Sequence, residues 1–425
     1  MTAPALTIEE LTAQRDRARQ DYLALSARGL KLDLTRGKPS PSQLDLSDGL
    51  LEAAGPAVAA DGTDVRNYGG LQGLPELRAI FSEALQVPVE RLLAAGNSSL
   101  ELMHDAVVFA MLGVLPGAQR RWVEEPEVAF LCPVPGYDRH FAVCERLGVK
   151  MIPVPMTGDG PDMDVVERLA GQDPRVKGIW CVPKYSNPDG AVYADETVRR
   201  LAAMTTAAPD FRIFWDNAYA VHHLTDEPAE IADLLALCAE HGHPDRAFVF
   251  GSTSKITFAG GGVAFFGSSE ANIRWWLSHT SKRSIGPDKV NQLRHVRLLR
   301  DAEGLREHMR RHAALLRPKF DAVDRILTAE LGGTGLASWT RPAGGYFVSL
   351  EVPEGCAREV VAKAGEAGIV LTPAGATHPY GDDPADRLIR IAPSYPALPE
   401  VEAAISGLAT CVRLVATEKL LATRS

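Results

Sequence analysis

Residues 248–262 run FVFGSTSKITFAGGG. An apolar run stops abruptly at Gly251, gives way to the small hydroxyl residues Ser252, Thr253 and Ser254, presents Lys255, and ends in Gly260, Gly261 and Gly262. A short run that is apolar on both faces suits a strand covered by helices on each side of a sheet. Four more runs have that character: EVAFLCP ending at Pro133, KGIWCVP at Pro183, FRIFWDN at Asn217 and VAFFGS at Ser268. Helix-like stretches at 162–171 and 194–207 lie between them, a spacing that suits β-α units in a mostly parallel sheet. The expected core is a doubly wound α/β sheet.

Beyond about residue 270 the chain changes to long charged helical sequence over 288–331, a strand pair around Arg341 to Glu351, and a further unit ending near Ile391. The N-terminal helix to about Arg28 and the extended LDLTRGKPSPSQLDL behind it have no strand partner in the core. Both ends are assigned to a second, smaller α+β domain. The expected division is 1–50 as helix and arm of the small domain, 51–300 as the large domain, and 301–425 as the rest of the small one.

With 425 residues, 46% hydrophobic, the chain has room for two or three domains at roughly 150 residues each. No stretch approaches the roughly 20 unbroken apolar residues of a membrane span, and the N-terminus is charged, without a secretory core. A soluble, cytoplasmic protein is expected. Lys plus Arg number 45 against 54 Asp plus Glu, a net charge of −9, and the basic residues are scattered. Clustered positive charge for nucleic acid is missing, which favours a small-molecule role. The cysteines, Cys132, Cys144, Cys181, Cys238, Cys356 and Cys411, form no CxxC pair and are expected to be reduced and buried.

In open α/β sheets, ligands bind outside the carboxyl ends of the strands. Three such ends carry polar residues. Asp216 closes FRIFWD, with Tyr219 one turn later; a carboxylate at that depth needs a cationic or hydrogen-bonding partner, although a helix N-cap is an alternative reading. Lys255 follows the second strand, where partial desolvation lowers an amine's pKa and makes it a nucleophile; a snorkelling surface lysine is the alternative. In AAGNSSLELMHDA, Ser98 and Glu101 have capping-box spacing, so Asn97 to Ser99 start a helix whose free N–H groups suit a phosphate or merely cap.

Taken in order, TRGKPSPSQLDLS, NYGGLQGLPELR, GNSSLELM, CPVPGYDRHF, KYSNPDG, WDNAY, STSKITFAGGGVAFFGSS, RPAGGYFVSL and RIAPSYP span nearly the whole chain. Together they resemble the fold-type I, class I aminotransferases that use pyridoxal 5'-phosphate, in the aspartate aminotransferase branch related to the MocR-type aminotransferase domain. The resemblance implies that Lys255 is the Schiff-base lysine, which also shuttles a proton at the substrate α-carbon. It implies that Asp216 pairs with the pyridinium nitrogen, and that Tyr219 and Asn187 bond the phenolic oxygen. Ser98, Ser99, Ser252 and Ser254 match the phosphate cup, and Tyr137 is the candidate for stacking on the ring. Tyr68 matches a tyrosine that reaches the phosphate of a neighbouring subunit, which implies a homodimer with shared active sites. Arg390 matches the arginine that clamps the substrate α-carboxylate, and Gly37 the glycine whose backbone approaches the substrate. One departure stands out: class I enzymes usually carry an arginine about eight residues after the lysine, where this chain has AGGGVAFF.

The implied activity is aspartate (or glutamate) to 2-oxo acid amino transfer by a ping-pong mechanism. A dicarboxylate needs a second cation for its distal carboxylate; Arg139 is the first candidate, with Arg36, Lys282 and Arg283 behind it. Aminotransfer from aromatic amino acids, kynurenine, 2-aminoadipate or others, or a lyase reaction on the same fold, are the alternatives. A DNA-binding regulator is disfavoured, because only about 30 residues precede the TRGKP turn, too few for a helix-turn-helix module. His308 and His312, in HMRRH, have helical metal-ligand spacing but no third ligand and are expected on a solvated helix surface; His222 and His223 receive no role.

Overall fold

The computed structural model describes residues 7–52 and 55–424. In chain order its strands are β1 (Leu32–Asp33), β2 (Leu92–Ala95), β3 (Ala129–Val134), β4 (Lys150–Thr157), β5 (Gly160–Pro161), β6 (Val176–Cys181), β7 (Arg212–Asp216), β8 (Ala247–Ser252), β9 (Ala264–Gly267), β10 (Ser338–Trp339), β11 (Val348–Glu351), β12 (Ile369–Val370) and β13 (Leu388–Ile391). The chain divides into two units: 42–186 with 191–313, and the described residues to Pro41 with 187–190 and 314 onward. The excursion of 187–190 into the second grouping has no counterpart in the expected domain division.

The first unit is built on an eight-stranded sheet of order β2-β9-β8-β7-β6-β3-β4-β5. Strands β4, β3, β6, β7 and β8 pair in parallel, while β9 runs antiparallel to both β8 and β2, and β5 antiparallel to β4. This is the doubly wound α/β core expected from the five apolar runs. Alternate residues feed two apolar layers: Ile213, Trp215 and Val249 lie in one, Phe214, Phe248 and Phe250 in the other. That period of two explains why the runs are apolar throughout, since both faces are covered by helices.

Three strands of this sheet were not expected. β2 is only LLAA, with no β-branched or aromatic residue to mark it. β4 contains Pro153 and Pro155, which weaken a strand signal because proline cannot donate to a ladder. The third, β5, is two residues long.

In the second unit the helix Ile8–Ser26, opened by a capping box between Thr7 and Glu10, packs on the helix Leu398–Arg424. β1 pairs in parallel with β12, so the extended arm finds its partner 337 residues later, Leu32 opposite Ile369. β10, β11 and β13 form an antiparallel sheet. All six cysteines are free and buried. Among the described residues no helix is long and apolar enough to cross a membrane.

Candidate active site

The parallel register sets Asp216 opposite Phe250, so β7 and β8 deliver their carboxyl ends side by side. Lys255 sits on a tight turn just past β8, in which the amides of Ile256 and Thr257 both donate to Thr253 O at 2.9 and 2.8 Å. The turn is tied to the start of β9, where Val263 N donates to Thr253 Oγ1 at 2.9 Å. Lys255 is half-buried, and its amine lies 4.9 Å from the centroid of the Tyr219 ring. Burial pushes its pKa below the ordinary lysine range, and the negative charge of Asp216 opposes that shift.

Asp216 Oδ2 accepts from His140 Nε2 at 3.0 Å. Its Oδ1 is buried and has no hydrogen-bond partner among the described residues. An unbonded buried carboxylate oxygen is costly to fold, so its retention at a strand end points to a donor that arrives from outside the chain. His140 stacks on Trp180 at 4.5 Å, and Tyr137 meets its edge at 5.0 Å. Tyr137 is the N-cap of the helix Asp138–Leu147, and His140 lies one turn on, on the same side. Sequence reasoning missed His140; its i, i+3 spacing from Tyr137 was the available signal.

Ser98 is the N-cap of the helix Ser99–Leu112 and accepts from Glu101 N at 3.3 Å. The Glu101 carboxylate bonds Asn97 N rather than Ser98 N, so the capping box is shifted by one residue. Ser252 Oγ and Ser254 Oγ are 3.2 Å apart. A Cβ on Gly262 would come within 2.9 Å of Asn97 O and 3.4 Å of Ser254 Oγ, so the glycine run, the helix start and the serines close on one place. Beside it lies a cavity of about 450 Å³ that includes Asn97, Gly260, Gly262, Arg283 and Arg294. Arg283 pairs with Glu101 and Asp105 at 3.5 and 3.1 Å.

Tyr68 is 79% exposed on a loop whose Asn67 and Gly69 carbonyls accept from Lys289 Nζ. Arg139 is exposed in the first turn of the helix Asp138–Leu147.

The second unit gathers Arg390, Asn187 and Gly37. Arg390, on β13, donates from Nη1 to Asn187 Oδ1 at 3.4 Å and from Nη2 to Thr372 Oγ1 at 3.1 Å. Its guanidinium lies 5.0 Å from the centroid of the Phe347 ring. A Cβ on Gly37 would fall 2.3 Å from Phe347 Cζ, so glycine is required for the ring to lie where Arg390 covers it. Phe347 and Thr372 were not picked out from sequence.

The expectation for HMRRH is corrected. His308 and His312 are 5% and 1% exposed, because they face the turn that carries Lys255, with His308 Nε2 2.7 Å from Ile256 O. The solvated arginines between them masked that buried face. No cluster of three or more metal-ligating side chains occurs among the described residues.

The family model described as aspartate amino-transferase matches residues 6–424. A Mycolicibacterium smegmatis protein, named only at the level of aminotransferase, is 57% identical over 425 residues, covering 99% of each chain. An aspartate aminotransferase of Corynebacterium glutamicum is 50% identical over 421 residues, covering 97% of each. The crystal structure of an aspartate transaminase from that organism superposes with a TM-score of 0.95 at 49% identity, covering 97% of this chain and 99% of the other.

Proposed function

The chain belongs to the aspartate aminotransferase family of fold-type I enzymes, and from that premise we propose that it transfers the amino group of aspartate or glutamate to a 2-oxo acid. The observation that carries the reading is at the ends of β7 and β8: a buried carboxylate with one oxygen unbonded among the described residues, beside an amine whose pKa burial lowers.

Pyridoxal 5'-phosphate fits this donor set. Lys255 would hold its carbonyl carbon, Asp216 its ring nitrogen, Tyr219 and Asn187 its phenolic oxygen, Tyr137 its ring face, and Ser98, Ser99, Ser252 and Ser254 its phosphate. When bound, it supplies a carbonyl that takes up the amino group and a ring that accepts electrons from the substrate α-carbon. Asp216, oriented by His140, holds a proton at the ring nitrogen through Oδ1. Lys255 Nζ, neutral at lower pH than an exposed lysine, takes the α-proton and returns it. Arg390 offers a planar fork to the α-carboxylate, with Asn187 and Thr372 fixing its orientation. Arg139 is the proposed partner of a distal carboxylate, and a ping-pong rate law follows from one site serving both substrates.

Exposed Tyr68 supports a homodimer in which this side chain completes the partner's phosphate site. Six buried thiols, none paired, support a reducing, cytoplasmic setting.

The test is an amino-donor panel followed by absorbance on the purified protein. Aspartate and glutamate should discharge the cofactor band at the lowest concentrations. A response confined to aromatic, aliphatic or kynurenine donors rejects the dicarboxylate reading, and ammonia release without an acceptor marks a lyase. Lys255→Ala should hold no cofactor reducible onto the chain by borohydride.

A further inference from the structure

Four buried histidines surround the turn that carries Lys255, and their hydrogen-bond partners fix where each proton sits. His308 Nε2 lies 2.7 Å from Ile256 O, which only accepts, so His308 carries its proton on Nε2. The side-chain amide nitrogen of Gln43 faces His312 Nδ1 at 3.1 Å and only donates, so the His312 proton is also on Nε2. The two Nε2 atoms are 3.1 Å apart, and two N–H groups do not bond each other. Ile256 O accepts from His308, and the His312 ring packs against that of His308 with 4.8 Å between centroids.

One residue earlier, His222 Nε2 lies 3.2 Å from Lys255 O and donates to it. On the opposite flank, His295 Nδ1 donates to Asn291 O at 2.8 Å, which leaves Nε2 to accept from the Thr257 hydroxyl at 2.8 Å. Burial holds all four in the neutral form, His312 with a pKa of about 3. A lysine or arginine in these places would also donate to the carbonyls, but would set a cation next to the amine.

We propose that His222, His295, His308 and His312 form an uncharged clamp on residues 253–257, and that His308 and His312 are positioning residues for the Lys255 amine. The clamp rests on the reading of Lys255 given above only for its benefit to the reaction; its geometry stands without it.

Two measurements on the purified protein test this. In a sample labelled with 15N-histidine at pH 7, His222, His308 and His312 should be neutral with the proton on Nε2, and His295 neutral with the proton on Nδ1. A charged ring, or a proton on Nδ1 of His308 or His312, overturns the proposal. In hydrogen exchange, His308→Leu with His312→Leu should speed the amides of Ile256 and Thr257 about tenfold, and kcat should fall with little change in KM. His308→Gln, which keeps an N–H donor, should restore most of both. Exchange at the wild-type rate in the double variant, or equal damage from Leu and Gln, overturns it. A Lys255 that takes up no pyridoxal phosphate rejects the proposed function and leaves the tautomer and amide-exchange readouts of the clamp intact.

Discussion

Asp216 gives one carboxylate oxygen to His140 Nε2 at 3.0 Å and keeps the other buried and unbonded among the described residues. The histidine is itself fixed by stacking on Trp180, so the carboxylate has one orientation rather than several. Asp216→Asn should lower kcat by on the order of 10²- to 10³-fold, the usual loss when a placed charge is removed from a reacting centre. His140→Phe leaves both oxygens unbonded and should cost roughly 3–5 kcal/mol of stability. Denaturant melts and steady-state kinetics on the two variants check this; an Asp216→Asn enzyme within threefold of wild type would refute it.

The amine of Lys255 is lowered by burial and raised by Asp216. Removing the carboxylate should therefore move the lysine further down, so that it deprotonates at lower pH in Asp216→Asn. Reductive 13C-methylation and NMR titration of the cofactor-free protein read the shift directly. An unchanged lysine pKa would show that the two groups do not sense each other, and an upward movement would contradict the sign of their interaction.

Burial lowers His223 to about 4 and His312 to about 3, against an ordinary 6.5. Below 6.5 the unfolded chain binds protons that the native state refuses, so stability must fall as pH falls. Between pH 7.5 and 5 the loss is roughly 2 kcal/mol for each such group. Urea midpoints at the two pH values should show it, and His312→Gln should shrink the difference. A protein equally stable at pH 5 would contradict the neutral assignment.

Arg390→Lys keeps the charge and loses the fork, and should raise KM for aspartate about 10²-fold with a smaller change in kcat. Gly37→Ala reaches the same end indirectly. Its methyl group displaces Phe347, over which the guanidinium lies, so KM should rise for every amino donor alike. A selective effect on dicarboxylates would instead place Gly37 next to the distal group.

Residue types alone marked a few positions of this site, and the resemblance supplied their expected roles. Asp216 and Lys255 were visible because a charged side chain at the end of an apolar strand is a local anomaly that needs no knowledge of the partner. His140 and Phe347 were not picked out, because their significance comes from what lies across from them: a carboxylate 76 residues away and a glycine 310 residues away. The HMRRH segment misled for the same reason. A helix with two arginines reads as solvated until its other face is known to meet the Lys255 turn.

The apolar runs by themselves determined that strands form and that both sides of them are covered, since a run without alternation can be buried only between two layers. They also determined which strand ends carry charge. Only the tertiary structure decided that β7 and β8 are neighbours, that Asp216 keeps an oxygen unbonded among the described residues, and that histidines converge on the carbonyls beside Lys255. Hydrogen bonds and burial between residues distant in the chain depend on packing, and no local pattern of residue types encodes who the partner is.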